Sequence, residues 1–189
     1  VAIEIEKKYV LTEEQRERIL ADLIELKAEF VGEDFEENTL YEGGILTEQN
    51  AALRVRKIED KTILTYKRRV QNETNIKHQI EHETKVENLE EIENIIKNLG
   101  FQKSLIYEKR RKTWKFRNVE IVLDELPFGL YMEIEGSAMA IAEAEMILGA
   151  EDFLTEHETY PHLTLKFGLT VGNIIKARFI NSEKSIEIR

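Results

Sequence analysis

The sequence predicts an α+β fold: about eight mainly antiparallel strands closed into a β-barrel with a charged lumen, and helices packed on its outside. Three observations carry that expectation. Apolar and polar residues alternate with period two along most of the chain. Three stretches instead show helical spacing behind capping signatures. Almost every alternating segment keeps its charges on one face and its apolar residues on the other.

The elements follow in order. Residues 1–10 read as a strand, with Ile3 and Ile5 facing one way and Glu4, Glu6 and Lys8 the other. Thr12 and Gln15 form a capping box, and Ile19, Leu23, Leu26 and Phe30 continue as the apolar stripe of a helix. Residues 35–46 make a loosely patterned strand. Ala52–Glu59 and Thr62–Val70 flank a short turn and read as a hairpin, and Ile76–Val86 is a further strand. Asn88 and Glu91 repeat the capping signature ahead of Leu89, Ile92, Ile95, Ile96 and Leu99, with Gly100 as the terminating glycine. Phe101–Arg117, Asn118–Glu125 and, after the Pro127-Phe128-Gly129 turn, Leu130–Glu135 are strands. Ser137 caps a third helix that runs to Leu148 and ends at Gly149. Residues 150–167 suit a short helix, and 168–189 alternate too weakly to assign. The domain therefore spans 1–167, with 168–189 as a C-terminal extension packed on it.

Alternation assigns faces to the charges. Glu4, Glu6 and Lys8 share one, as do Arg54 and Arg56, Lys67 and Arg69, Glu81 and Glu83, Lys109 and Arg111, and Glu133 and Glu135, while Asp124 alternates with Ile121 and Leu123. For a single strand, a half-solvated sheet face is explanation enough. Seven such segments, often with one sign per strand, call for a common interior. Isolated buried charges are costly, so such a lumen is water-filled and receives a charged ligand. The apolar outside is then covered by the three helices.

Composition narrows the function. The 189 residues suffice for one domain with a real core, and 42% hydrophobic with 34% charged residues marks a globular chain. Without Cys there are no disulfides, thiolate zinc sites or cysteine nucleophiles. A formal charge of −10 argues against a general nucleic-acid binder. No apolar run approaches the about 20 residues of a membrane span, and no secretory h-region opens the chain, so a cytoplasmic protein without membrane or nucleic-acid partners is expected.

The signs point to chemistry. Arg54, Arg56, Lys67, Lys109 and Arg111 together can neutralise a compact polyanion, since guanidinium forks fit phosphate oxygens. Carboxylates paired at i and i+2 can hold hard divalent cations through oxygen. Both together suggest a metal–polyphosphate site.

These residues resemble the CYTH superfamily, the triphosphate tunnel metalloenzymes, which include class IV adenylate cyclases, thiamine triphosphatases and inorganic tripolyphosphatases. The likeness rests on Glu4-Ile5-Glu6-Lys7-Lys8, Leu53-Arg54-Val55-Arg56, Leu64-Thr65-Tyr66-Lys67, Glu81-His82-Glu83, Leu99-Gly100-Phe101, Lys109-Arg110-Arg111, Val122-Leu123-Asp124 and Gly129-Leu130-Tyr131-Met132-Glu133-Ile134-Glu135, in that order, over residues 1 to about 150. It implies an eight-stranded antiparallel tunnel open at both ends. It further implies Mg2+ or Mn2+ held by Glu4, Glu6, Glu133 and Glu135, with Asp124 a further candidate. Arg54, Arg56, Lys67, Lys109 and Arg111 become triphosphate binders, and Glu81 and Glu83 support the bases or a second metal. Glu4, Glu6 and Lys8 carry the catalysis, with Lys8 touching phosphate or orienting the attacking water electrostatically.

Departures from the family pattern are visible. Arg68 and Arg69 follow Lys67 where many relatives have Gly, and Arg69 is expected at the rim. The usual Ser-Tyr appears only as Thr159-Tyr160, and Lys166 is a weaker candidate for reaching the tunnel. His78, His82, His157 and His162 lack metal-type spacing, Trp114 is expected under a helix, and Gly43-Gly44 reads as a turn.

Three functions remain open. In the favoured one, a metal-dependent phosphohydrolase acts on inorganic, nucleoside or thiamine triphosphate. In the second, a class IV-type adenylate cyclase converts ATP to cyclic AMP and pyrophosphate. The third is a non-catalytic polyphosphate- or nucleotide-binding module. Hydrolysis is preferred because it needs no base pocket, and the full set of candidate metal ligands argues against mere capture. The substrate is a small molecule in each case, and the oligomeric state stays open, a homodimer being one option.

Overall fold

The computed structural model describes residues 5–70 and 78–180. Glu4, residues 71–77 and the chain from 181 onward lie outside the described residues, as does the side chain of Arg69.

The elements in chain order are β1 (Glu6–Leu11), α1 (Glu13–Glu25), β2 (Glu29–Glu42), α2 (Gly44–Glu48), β3 (Ala51–Ile58), β4 (Lys61–Val70), β5 (His78–Val86), α3 (Leu89–Asn98), β6 (Gln102–Phe116), β7 (Val119–Leu126), β8 (Gly129–Gly136), α4 (Ala138–Leu148), β9 (Thr155–Glu156), α5 (Tyr160–Phe167), β10 (Leu169–Val171) and β11 (Ile174–Ala177). The caps sit where the sequence puts them. Thr12 and Gln15 close a reciprocal box on α1. Asn88 and Ser137 each accept from a first-turn amide of α3 and α4, and Thr159, which the sequence does not mark as a cap, does the same for α5.

One helix end differs from expectation. α1 stops at Glu25, so Phe30 lies on β2 and not on the helical stripe. The stop is a Schellman-type closure in which Ala28 N–H donates to Leu23 C=O and Lys27 N–H to Ile24 C=O. Lys27 takes the left-handed conformation there, at φ 55°, where a glycine would have announced the end. β2 consequently begins at Glu29, six residues before the expected strand, and pairs along β6 from Glu29↔Lys115 to Glu42↔Gln102.

The sheet runs β5-β4-β3-β2-β6-β7-β8-β1-β9, and β10–β11 join through a parallel pairing of β11 with β6. It is an antiparallel-rich α+β fold of eleven strands and five helices among the described residues, against the expected eight and three. The elements beyond that count are α2, α5, which falls in the 150–167 stretch where a short helix is expected, and the short β9, β10 and β11, the last two drawn from the stretch that resists assignment. The hydrogen-bonded path is not closed: among the described residues β5 and β1 do not pair, so the closed ring of strands is not observed. The sheet nevertheless curls. Lys67 on β4, second in the order, acts electrostatically on Glu6 of β1, eighth in the order.

Curling separates two faces. On the outside, Tyr9, Leu11, Trp114, Phe116, Ile121, Leu123, Met132 and Ile134 pack against Ile19 and Leu23 of α1 and Ile141, Ala144 and Leu148 of α4. Trp114 lies in this core, as expected. α3 covers the other flank, where Ile96 packs with Tyr41, Val55 and Leu46. The apolar outer face is thus what drives the helices onto the sheet and leaves the charged face inward. α5 instead packs on the inner side with Leu105, Tyr107, Leu126 and Tyr131, which fills one end of the concave face, whereas the resemblance implied openings at both ends. No helix among the described residues is long and apolar enough to cross a membrane.

Candidate active site

Residues directly opposite in a ladder point to the same side, so the register builds the inner face strand by strand. Lys8 lies opposite Glu133, and Glu6 opposite Glu135. Glu135 in turn opposes Glu120. Arg111 lies opposite Asp124 on one side and Asp34 on the other. Lys109 opposes Glu36, Asn38 opposes Arg56, Arg54 opposes Thr65, and Thr65 and Lys67 oppose Glu83 and Glu81.

At the centre these charges interlock. Asp124, 1% exposed, accepts two hydrogen bonds from Arg111, Nε at 2.7 Å and Nη2 at 2.5 Å. Its Oδ2 also accepts from the Tyr160 hydroxyl at 2.8 Å and lies 3.5 Å from Lys109 Nζ. Arg111 Nη2 reaches on to Glu133 at 2.7 Å, and Glu133 holds Lys8 Nζ at 3.3 Å. On the other side Lys109 lies 3.4 Å from Glu36, which stands 3.7 Å from Arg56 Nε. The outcome is one chain of alternating sign, Arg56–Glu36–Lys109–Asp124–Arg111–Glu133–Lys8, drawn from five neighbouring strands and β1.

Electrostatics follow the geometry. Burial would push Glu36 and Asp124 up, but both are held below the usual carboxylate range, Glu36 mainly by Lys109 and Arg56, Asp124 by Lys109 and Arg111. Burial lowers Lys109 in spite of its acidic neighbours. Burial, then the Asp124 carboxylate, drives the Tyr160 phenol well above its ordinary value, so it stays a donor. Glu6 is raised, by partial burial first and the nearby Glu133 carboxylate next.

A second group lies toward β5. Lys67 Nζ is 2.8 Å from Glu81, and Arg54 donates to Thr65 Oγ1 at 3.4 Å, which donates to Glu83 at 3.0 Å. Glu81 and Glu83 are exposed. The Nε atoms of Arg54 and Arg56 are buried without a hydrogen-bond partner among the described residues. Between β1, β6, β7 and β8 an open cleft of about 270 Å³ is lined by Glu6, Arg111, Glu120, Val122, Glu133 and Glu135. Its carboxylate oxygens are the donor type that hard divalent cations take. No three such side chains converge in a ready-made cage among the described residues, and Glu4 lies outside them. Both Asp124 oxygens are engaged by protein donors.

Several participants were not legible in the sequence. Glu36 and Asn38 lie in a run where Glu33, Asp34, Glu36 and Glu37 blur the alternation. Tyr160, seen only as part of Thr159-Tyr160, reaches the centre from α5; its ring also sits 4.0 Å from Lys8 Nζ and 5.3 Å from Lys109 Nζ. Lys166, on the same helix, is exposed and lies over Phe167. His82, His157 and His162 are exposed.

A CYTH domain profile matches residues 2–167. The chain belongs to the CYTH family. Solved structures share its fold. A Pyrococcus horikoshii OT3 protein, PH1012, is 27% identical with a TM-score of 0.71, over 85% of this chain and 98% of that one. A Vibrio parahaemolyticus protein described as a candidate adenylate cyclase is 19% identical with a TM-score of 0.65, over 85% and 97%. A Hippeastrum adenylyl cyclase candidate, for which a dominant triphosphatase activity is described, is 15% identical with a TM-score of 0.64, over 90% and 97%. No curated protein matches the chain.

Proposed function

We propose that this CYTH protein is a divalent-metal-dependent triphosphatase whose curled inner face binds the triphosphate of a small molecule. The observation that carries the reading is the surplus of unpaired donor capacity inside. The buried Nε groups of Arg54 and Arg56 make no hydrogen bond among the described residues, Arg56 having only the Glu36 carboxylate at 3.7 Å, and both arginines share their face with Lys67, Lys109 and Arg111. A polyphosphate supplies the missing acceptors.

In this reading Arg54, Arg56, Lys67, Lys109 and Arg111 bind phosphate oxygens and stabilise the charge that moves onto the leaving group. Lys8, held by Glu133 and by the Glu158 carbonyl at 3.1 Å, orients water or touches the terminal phosphate electrostatically. Glu6, Glu133 and Glu135, with Glu4, would hold Mg2+ or Mn2+, which when bound supplies Lewis-acid stabilisation of phosphate oxygens. Asp124, whose oxygens take Arg111 and Tyr160, steadies the bases, and like Glu133 it would exchange protein donors for a metal. Water adds to the terminal phosphorus, the bridging P–O bond breaks with its electron pair leaving on the diphosphate, and one proton is released. The described Hippeastrum triphosphatase favours hydrolysis over cyclisation. Closure of the strands into a full tunnel, a cytoplasmic setting and the absence of nucleic-acid and membrane partners belong to the same proposal.

The test is product analysis. Inorganic triphosphate, ATP and thiamine triphosphate are incubated in parallel with the protein and magnesium or manganese, with and without EDTA. Orthophosphate release that EDTA abolishes supports the reading. Cyclic AMP from ATP would establish the cyclase instead, and binding without turnover would leave a capture module.

A further inference from the structure

The chain of alternating charges has a near-symmetric centre. Lys109 stands between two buried carboxylates, Glu36 at 3.4 Å and Asp124 at 3.5 Å. Each carboxylate holds an arginine on its far side, Arg56 for Glu36 and Arg111 for Asp124. Of these five residues the sequence singles out Arg56, Lys109, Asp124 and Arg111; Glu36 comes from β2, where no motif points to it.

The local geometry is specific. Glu36 is 3% exposed, and its Oε2 meets all three neighbours: Arg56, Lys109 and the Asn38 amide, which donates to it at 3.1 Å. That hydrogen bond fixes the Asn38 amide with Nδ2 toward the carboxylate. Asn38, fully buried on the same strand, thereby anchors the acid from behind. Stability alone does not account for such a group, because buried ion pairs are commonly matched or exceeded by apolar packing. Two cations that must both face one anion, however, repel each other when the anion is absent. A carboxylate between them holds them at fixed separation.

Resting on the triphosphate reading above, we propose that Glu36 is a positioning residue that sets Arg56 and Lys109 for one end of the polyphosphate, as Asp124 sets Lys109 and Arg111 for the other. Glu36 needs no contact with the substrate. Removing its charge makes the inner face more cationic, which favours anion binding, while it releases the two bases from register, which disfavours turnover.

The test separates these effects. Steady-state hydrolysis of inorganic triphosphate is measured for wild type, Glu36→Gln and Glu36→Asp, beside arginine Nε–H NMR spectra of the ligand-free proteins. For Glu36→Gln, kcat is expected to fall roughly tenfold to a hundredfold, as sub-ångström displacements in active sites do, with KM unchanged or lower. Glu36→Asp keeps the charge and regains part of kcat. In the spectra, the Arg56 Nε–H signal, assigned with Arg56→Lys, shifts in Glu36→Gln while that of Arg111 holds. A kcat within about twofold of wild type, or a raised KM at unchanged kcat, overturns the proposal. So does an unmoved Arg56 signal, which Glu36→Asp also reports if the Gln variant does not fold. Wild-type protein that neither binds nor hydrolyses triphosphate overturns the triphosphatase reading itself, whereas active wild type with an indifferent Glu36→Gln overturns only this inference.

Discussion

Replacing Asp124 by Asn tests the interior most severely. The aspartate is 1% exposed and receives two hydrogen bonds from Arg111 and one from Tyr160, with Lys109 at 3.5 Å. An amide has one acceptor oxygen in place of two, carries no charge, and turns an NH2 toward groups that are themselves donors. Arg111 keeps Glu133 and Lys109 keeps Glu36, but both lose their principal partner. Breaking one side of a buried ion pair costs about 3–5 kcal/mol. At roughly 2–4 °C per kcal/mol for a chain of this size, the melting temperature should fall by about 6–20 °C. The assay is thermal and urea unfolding followed by circular dichroism at pH 7 with EDTA present, so that no metal contributes. If Asp124 served only as a metal ligand, its charge would be a burden in EDTA and the variant would be as stable as wild type, or more so. A loss below about 1 kcal/mol would refute the ion-pair reasoning.

Further outcomes follow from the same contacts. Tyr160→Phe keeps the ring against Lys8 but removes a hydrogen bond to a buried carboxylate, and should cost about 1.5–3 kcal/mol in urea unfolding. Asp124 and Glu36 have folded-state pKa values below their ordinary 3.8 and 4.5, so their stabilisation is present above those values and is lost as the pH falls through the lower folded ones. The urea midpoint should therefore drop chiefly below about pH 4.5, and Glu36→Gln should flatten the drop. Gly168→Ala places a Cβ 2.6 Å from the Thr164 carbonyl oxygen and 2.8 Å from Ile175 Cγ2, and should cost about 1–3 kcal/mol in thermal unfolding by forcing α5 and β11 apart. In thermal melts with magnesium, triphosphate at a hundredfold excess over Kd should add about 2.7 kcal/mol, diphosphate less and orthophosphate least.

Much of this architecture was legible because period and charge agreed. Thr12, Asn88 and Ser137 announced helix starts that the backbone amides confirm in detail. Strict alternation placed Arg54, Arg56, Lys67, Lys109, Arg111 and Glu133 on one face, where the register finds them. Legibility failed where a local rule was broken. Lys27 ends α1 in a conformation that glycine usually signals, so the helical spacing runs on to Phe30, which in fact lies on β2. Clustered acids in β2 concealed that Glu36 faces inward while Glu37 pairs outside with Arg178. β11 is a four-residue strand that pairs with the adjacent three-residue β10 and, about seventy residues earlier, with β6, a distance at which alternation carries no information. The surroundings of carboxylates are equally hidden: the sequence offers Asp124 as a metal candidate, and its burial between Arg111, Lys109 and Tyr160 is a tertiary property that no pattern in the sequence marks.

The most direct test of the central claim, that the inner face is built for a triphosphate, is calorimetric titration of inorganic triphosphate and of orthophosphate in the presence of magnesium, into wild type and Arg111→Ala. Saturable triphosphate binding far tighter than orthophosphate binding is expected, weakened in Arg111→Ala by about 2–5 kcal/mol. Equal affinities for the two anions, or triphosphate binding indifferent to Arg111, would contradict it.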